Sequence, residues 1–213
     1  MNVPVAASAG KFITFEGGEG VGKSTQVQRL AAALEAAGTP CVATREPGGA
    51  PAAEEIRNLL VQGDTKRWQP MSEVLLHNAA RIEHLAATVK PALDAGTWVI
   101  CDRFTDSTLA YQGYGHGVDA SAIANLHWLL YRDFKPDLTL ILDMDLDQGL
   151  ARAGSREDTE DRYERMGREF HERLRKGFLE IAEAEPDRCA VVDAAGDVES
   201  VHARIMQVVS ERL

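Results

Sequence analysis

Residues 12–25 read FITFEGGEGVGKST: an apolar run that breaks into glycines and ends on a lysine and two hydroxyls. Within it, Gly17-Gly18-Glu19-Gly20-Val21-Gly22-Lys23-Ser24 fits G-x-x-x-x-G-K-[ST], a phosphate-cradling loop. The residue types follow from the chemistry. Glycines let backbone N–H groups curl around phosphate oxygens. The following helix adds its positive N-terminal end. Lys23 reaches the outer phosphates and Ser24 offers a hydroxyl to Mg²⁺. The expected nucleotide-binding set is Gly17, Gly18, Glu19, Gly20, Val21, Gly22, Lys23, Ser24 and Thr25.

Working outward, short apolar runs at 11–15, 40–44, 98–101, 138–142 and 189–193 read as strands. They are continuous rather than alternating in polarity, as strands covered on both faces should be. Helix-like segments lie between them at 23–37, 52–62, 71–95, 119–132, 147–153, 160–185 and 197–212. In 71–95, Val74, Leu75, Ala79, Ile82, Leu85, Ala86 and Val89 recur at helical spacing, with Ser72 as a candidate cap and Gly96 as the stop. Strand–helix alternation of this kind gives an α/β fold, a five-stranded parallel sheet flanked by helices. Residues 1–10 read as a flexible tail and 11–213 as a single domain. The segment 152–175 is unusually charged, either a solvated helix face or a mobile flap.

Composition narrows the class. The chain has 213 residues, 45% apolar and 26% charged, with a net charge of −10. So acidic a surface does not suit long nucleic acids. No apolar run approaches the roughly 18–20 residues of a membrane helix, and the opening MNVPVAASAG lacks the pattern of an export signal. Cys41, Cys101 and Cys189 lie far apart, each in a short apolar run, and read as small hydrophobes in a reducing cytoplasm.

Ligands of open α/β sheets gather at the carboxyl ends of strands. Two chemically loaded stretches fall there: Arg45-Glu46-Pro47-Gly48-Gly49, and Asp102-Arg103 followed by Asp106, Ser107, Thr108, Tyr111 and Gln112. Arg57, Arg81 and Arg103 are candidates for a second anion site beside the loop, because guanidinium groups bind phosphate bidentately and keep their charge. His77 and Arg81, four residues apart, share a helix face, as do Thr108 and Gln112. A flat ring, a planar donor fork and an amide with both donor and acceptor suit a nucleobase. His77 and Tyr111 also have plainer readings, as a packed histidine and a core aromatic.

FEGGEGVGKST, TREPGG, AEEIRNLL, AARIEHL, DRFTDSTLAYQG, KPDLTLILD and the charged DRYER–FHERLRKGF stretch together resemble the thymidylate kinases of the bacterial type, over nearly the whole chain. The resemblance implies a P-loop nucleoside-monophosphate kinase fold, a lid at about 152–165, ATP and dTMP as substrates, Mg²⁺ and a homodimer. It implies Ser24 at the metal, Asp102 in the dTMP site orienting Arg103 or at the metal through its water, and Glu19 near the sugar 3′-OH or the metal shell. It puts Arg57 and Arg103 on the dTMP phosphate. Arg81, Gln112 and Thr108 fall on the thymine, with Ser107 in the same motif. Tyr111 lies under the deoxyribose, and Glu46 and Pro47 form the wall. The loop holds no arginine, so the positive charge on the transferring group is expected from the lid, with Arg152, Arg156 and Arg162 as candidates. Where the family usually stacks Phe on thymine, this chain has His77, whose imidazole stacks less well and can protonate near pH 6–7.

Two other readings compete with it. Another nucleoside-monophosphate or deoxynucleoside kinase shares the loop and the strand-ending Asp-Arg. A nucleotide-binding switch needs N-K-x-D, which the sequence lacks. Its only D-x-x-G, Asp193-Ala194-Ala195-Gly196, falls after the last strand.

Overall fold

The computed structural model describes residues 10–154 and 162–213. Strands β1 (Phe12–Glu16), β2 (Cys41–Arg45), β3 (Trp98–Asp102), β4 (Leu138–Asp143) and β5 (Cys189–Asp193) form one sheet in the order β2-β3-β1-β4-β5. Every pairing is parallel. The helices are α1 (Lys23–Ala36), α2 (Pro51–Val61), α3 (Pro70–His84), α4 (Lys90–Asp94), α5 (Thr105–Thr108), α6 (Ala120–Tyr131), α7 (Leu146–Ala153), α8 (Arg168–Ala184) and α9 (Val198–Arg212). The expected strands are all present within one residue at either end.

On one face of the sheet, Ile13, Phe15, Ile100, Leu140 and Val192 meet Val27, Leu30 and Leu34 of α1 and Val201, Ile205 and Val209 of α9. On the other, Ile141 and Cys189 meet Phe170, Leu174 and Phe178 of α8, while Phe12, Val99 and Cys101 meet Phe104 and Tyr131. Burial is thus two-sided for the middle strands. The edge strand β2 is only partly covered, and β5 exposes Val191. Continuous apolarity therefore overstated the cover at the edges.

The 71–95 segment differs from a plain helix. It starts at Pro70 in the first turn, with Gln69 as the flanking residue and no side-chain cap, so Ser72 does not serve as one. A π-helical turn, Leu85–Val89, separates α3 from α4. Pro91 explains it: proline has no N–H, and its ring crowds the carbonyl one turn back, so the ladder widens just before it. Gly96, at φ +76°, ends the segment as expected. Val74, Leu85 and Val89 are buried, but Leu75 and Ile82 are exposed on a second apolar face together with Met71.

A second π-helical turn, Leu109–Gly115, continues α5. Asp106, on α5, is gripped by both terminal nitrogens of Arg188 at 2.7 and 2.8 Å, and Arg188 also donates to Thr139 Oγ1 of β4 at 2.8 Å. This partly buried ion pair fastens the segment after β3 to the body of the sheet.

Candidate active site

The carboxyl ends of β1, β2 and β3 converge. Gly17 (φ +130°) and Gly20 (φ +71°) let the phosphate loop lie against β4 and α7. A Cβ on Gly17 would stand 2.3 Å from the Leu142 carbonyl oxygen, and one on Gly20 would stand 1.9 Å from that of Gly149. The Val21 side chain is buried in the core, leaving its backbone to the loop. Ser24 and Thr25 are exposed in the first turn of α1. Lys23 Nζ donates to the carbonyls of Gly18 at 2.6 Å and Gly17 at 3.2 Å. Burial and the charge of Arg103 push its pKa down to about 8, against the pull of Glu19 and Asp102. Ser24 Oγ donates to Asp102 Oδ2 at 2.5 Å, which brings together one hydroxyl and one carboxylate, the hard oxygens that Mg²⁺ takes alongside water and phosphate.

Arg103 leaves β3 with φ +73°, a left-handed conformation for a residue with a Cβ. Its amide donates to Phe15 O at 2.9 Å, and its guanidinium turns back over the loop. Nη1 donates to Gly17 O at 3.0 Å and to Ser107 Oγ at 3.2 Å, and Nη2 to Glu19 Oε1 at 3.1 Å. The guanidinium lies 4.9 Å from the centre of the Tyr111 ring, whose hydroxyl donates to the same Glu19 oxygen at 2.5 Å. Burial alone would raise the Glu19 carboxyl, but Arg103, Lys23 and the Tyr111 hydroxyl outweigh it and hold the pKa at about 2.

Two cavities meet at this arginine. The outer one is lined by Gly20, Gly22, Lys23, Ser24 and Asp102. The inner one is lined by Pro47, His77, Arg81, Ser107, Thr108, Tyr111 and Gln112. Glu19, Glu46, Arg57, Arg103 and Glu164 border both. Arg57 Nη1 donates to Pro47 O at 2.7 Å. Arg57 and Arg103 thus stand at the junction, while Arg81 belongs to the inner cavity alone.

Arg81 is buried, and Nε donates to Glu46 Oε2 at 2.5 Å. Its Nη2 donates to Phe104 O at 2.9 Å and to Thr108 Oγ1 at 3.2 Å. Glu46 is held in turn by His84 Nδ1 at 2.9 Å. Gln112, also buried, donates from Nε2 to Glu73 Oε2 at 3.0 Å. One atom of each pocket-lining group, Arg81 Nη1 and Gln112 Oε1, has no hydrogen-bond partner among the described residues. Buried polar atoms left so are costly unless something pairs with them.

Two expectations need correction. His77 lines the inner cavity, with Nε2 3.1 Å from the Tyr163 hydroxyl. Burial and the positive charges of Arg81, Arg103, Arg162 and Arg57 push its pKa down to about 3, so it stays neutral near pH 6–7. Arg162 is not poised over the phosphate loop. It is fully buried, donates to the carbonyls of Asp64, Leu60 and Thr65 at 2.9, 3.0 and 3.1 Å, and pairs with Glu73. Of the other lid candidates, Arg152 lies in the last turn of α7 and donates to Gly196 O at 3.3 Å. Arg156 lies outside the described residues, as do residues 1–9 of the expected tail.

The sequence reading passed over Glu16, Glu73, Tyr163 and Glu164. Glu16 is fully buried and accepts from Phe104 N at 2.7 Å and Ser107 Oγ at 2.5 Å, pinning the turn that carries Arg103. Burial and the neighbouring Asp106 raise its pKa to about 7. Glu73 could have been found from spacing, since 73, 77, 81 and 84 fall on one face of α3. Glu16 had no periodic signal, being a single carboxylate at the end of an apolar strand.

Similarity to known proteins runs along nearly the whole chain. The profile of the family described as thymidylate kinase matches residues 15–205. The thymidylate kinase of Caulobacter vibrioides is 53% identical over 204 residues, covering 96% of this chain and 98% of that protein. That of Ruegeria pomeroyi is 47% identical over 207 residues, covering 97% and 98%. The crystal structure of thymidylate kinase from Ehrlichia chaffeensis superposes with a TM-score of 0.75 at 39% identity, over 94% of this chain and 99% of that one.

Proposed function

The chain belongs to the thymidylate kinase family and phosphorylates dTMP with ATP as donor, and we propose that the two phosphates meet at the cavity junction marked by Arg103. The loop amides and Lys23 hold the ATP phosphates. Ser24 and Asp102 hold Mg²⁺, which when bound neutralises charge on the phosphate oxygens. Arg103 and Arg57 grip the dTMP phosphate. Tyr111 lies under the deoxyribose, and Glu19 faces the sugar 3′-OH. His77 stacks as a neutral ring, Thr108 lines the base, and Glu46 and Pro47 close the wall.

One observation supports the base assignment above the others: the unpaired donor on Arg81 and the unpaired acceptor on Gln112. Thymine offers an acceptor at O4 beside a donor at N3–H. Cytosine offers the reverse, an amino donor beside an N3 acceptor, and would oppose both groups. Uracil shares thymine's edge. A coupled ADP-release assay with dTMP, dUMP, dCMP, UMP, AMP and thymidine tests this, with dTMP expected to give the highest kcat/KM. Equal turnover of dCMP, or acceptance of thymidine without its phosphate, would overturn the reading.

Because His77 is uncharged, it acts as a weaker stacking ring rather than a pH-dependent one. His77→Phe is expected to keep kcat and lower the KM for dTMP about two- to fivefold, a gain of the size expected for a better aromatic stack. A tenfold rise in KM in steady-state kinetics would sink the idea.

Arg152 supplies the charge on the transferring phosphoryl group in this reading, with Arg156 as the alternative. The packing of α7 on Gly20 keeps Arg152 within a helical turn of the loop. Residues 11–213 act as one kinase domain in the cytoplasm, with 152–165 as its lid. Among the described residues no helix is long and apolar enough to cross a membrane. A second copy of the chain covers the outer face of α3 and α6, where Met71, Leu75, Ile82, Trp128 and Leu129 are exposed together. Sedimentation velocity is expected to give a dimer, and Leu75→Glu with Trp128→Glu a monomer.

A further inference from the structure

Gln112 can present either end of its amide to the base, and the two ends ask for opposite partners. Its orientation is therefore a specificity question, and nothing on its own helix answers it. The answer comes from α3. The carboxylate of Glu73, itself buried, accepts from Gln112 Nε2 at 3.0 Å. The same carboxylate is paired with Arg162 and accepts from the Tyr163 hydroxyl at 3.1 Å. A carboxylate held by a guanidinium is an acceptor only, so it takes the NH₂ end of Gln112 and turns Oε1 toward the cavity.

We propose that Glu73 is a specificity-determining positioning residue: it fixes the Gln112 amide so that the pocket offers an acceptor to the base. This rests on the thymine-edge reading above and deepens it. Glu73 does not touch the nucleotide; it acts through Gln112. The arrangement also explains why a charged pair is kept in a buried place next to an uncharged ligand surface. With Arg162 saturating one oxygen through a hydrogen bond and three carbonyls of residues 60–65 holding the rest of the guanidinium, Glu73 has little freedom to turn away.

The test is a pair of variants. In Glu73→Gln, the new carbonyl still serves Arg162, while the new NH₂ faces Gln112 and favours the flipped amide, which then offers a donor to thymine N3–H. The KM for dTMP is expected to rise ~10-fold or more with kcat within about threefold, the pattern of a lost binding contact, and the ratio of dTMP to dCMP turnover to fall. The exchange Glu73→Gln with Gln112→Glu restores an acceptor toward the base, because the amide introduced at position 73 now donates to one oxygen of the carboxylate introduced at position 112. It is expected to bring KM back to within about threefold of wild type. A merely structural role for Glu73 would give no such rescue. An unchanged KM in the single variant, or a double variant no better than the single, would overturn the proposal. If neither variant folds, NMR of the nucleotide-free wild type decides. Slow exchange of one Gln112 side-chain amide proton supports the fixed amide, and rapid averaging of the two overturns it. Wild-type turnover of dTMP is the control, since its absence overturns the thymine reading rather than the assignment of Glu73.

Discussion

Lys23→Ala is expected to lower kcat by ~10³-fold or more, as removal of a charge aimed at a transferring phosphoryl group does, while dTMP affinity stays within about threefold. The asymmetry comes from the two cavities. Lys23 lines only the outer one, and the inner one is closed mainly by the segment after β2, by α2 and α3, and by the segment after β3. Rapid-mix kinetics and calorimetric titration of dTMP read the two effects separately; near-normal turnover would refute the role of the loop. The pH profile gives a second check. With its pKa at about 8, Lys23 in the free enzyme is charged below that pH and neutral above it. The charged form is the one that attracts phosphate, so kcat/KM for ATP should fall as pH rises through about 8. The residual activity of Lys23→Ala should lack that fall.

The order of elements was legible because it follows from periodicity and punctuation. GEGVGKS requires a strand before it and a helix after it, and five apolar runs separated by helical segments leave few arrangements other than a parallel sheet. What composition could not show was which polar side chains carry chemistry and which hold others in place. Arg81, Arg162 and Arg188 are all arginines: one in α3, one ahead of α8 and one just before β5. One lines the base cavity, one is consumed by carbonyls and Glu73, and one fastens Asp106. Only partners in space separate them, and apart from Glu185, three residues from Arg188, those partners lie 23 to 102 residues away in the chain. The pKa of His77 is of the same kind, because burial and then four arginines from four segments set it. Leu75 and Ile82 fitted the helical period yet face outward, since a helix with two apolar faces gives the same pattern as one with a single wide face.

Arg103→Lys, which keeps the charge, is expected to lower kcat/KM for dTMP by ~10²–10³-fold, the loss typical of one preorganised donor at a developing charge. The case rests on geometry. The guanidinium spans three anchors at once, Gly17 O, Ser107 Oγ and Glu19 Oε1, while lying flat over Tyr111. A lysine has one nitrogen, so it can keep the loop contact or the Glu19 contact but not both, and it has no plane to rest on the ring. Freed of that fork, Glu19 and Tyr111 lose the group that bridges them. The fold should not suffer. The left-handed turn at residue 103 is imposed from outside, by Phe15 O on its amide and by Glu16 on Phe104 N and Ser107 Oγ, and lysine has the same Cβ as arginine. Tm is therefore expected to change by no more than about 2–4 °C, the shift that corresponds to ~1 kcal/mol in a chain of this size. A variant within threefold of wild type in kcat/KM would show that charge alone suffices at the junction. A collapse of Tm would show that the guanidinium, rather than Glu16, holds the turn. Neither is expected, because the turn's own hydrogen bonds run through the backbone and through Glu16, while the donors of Arg103 reach mainly across to the loop, at Gly17 O and Glu19 Oε1.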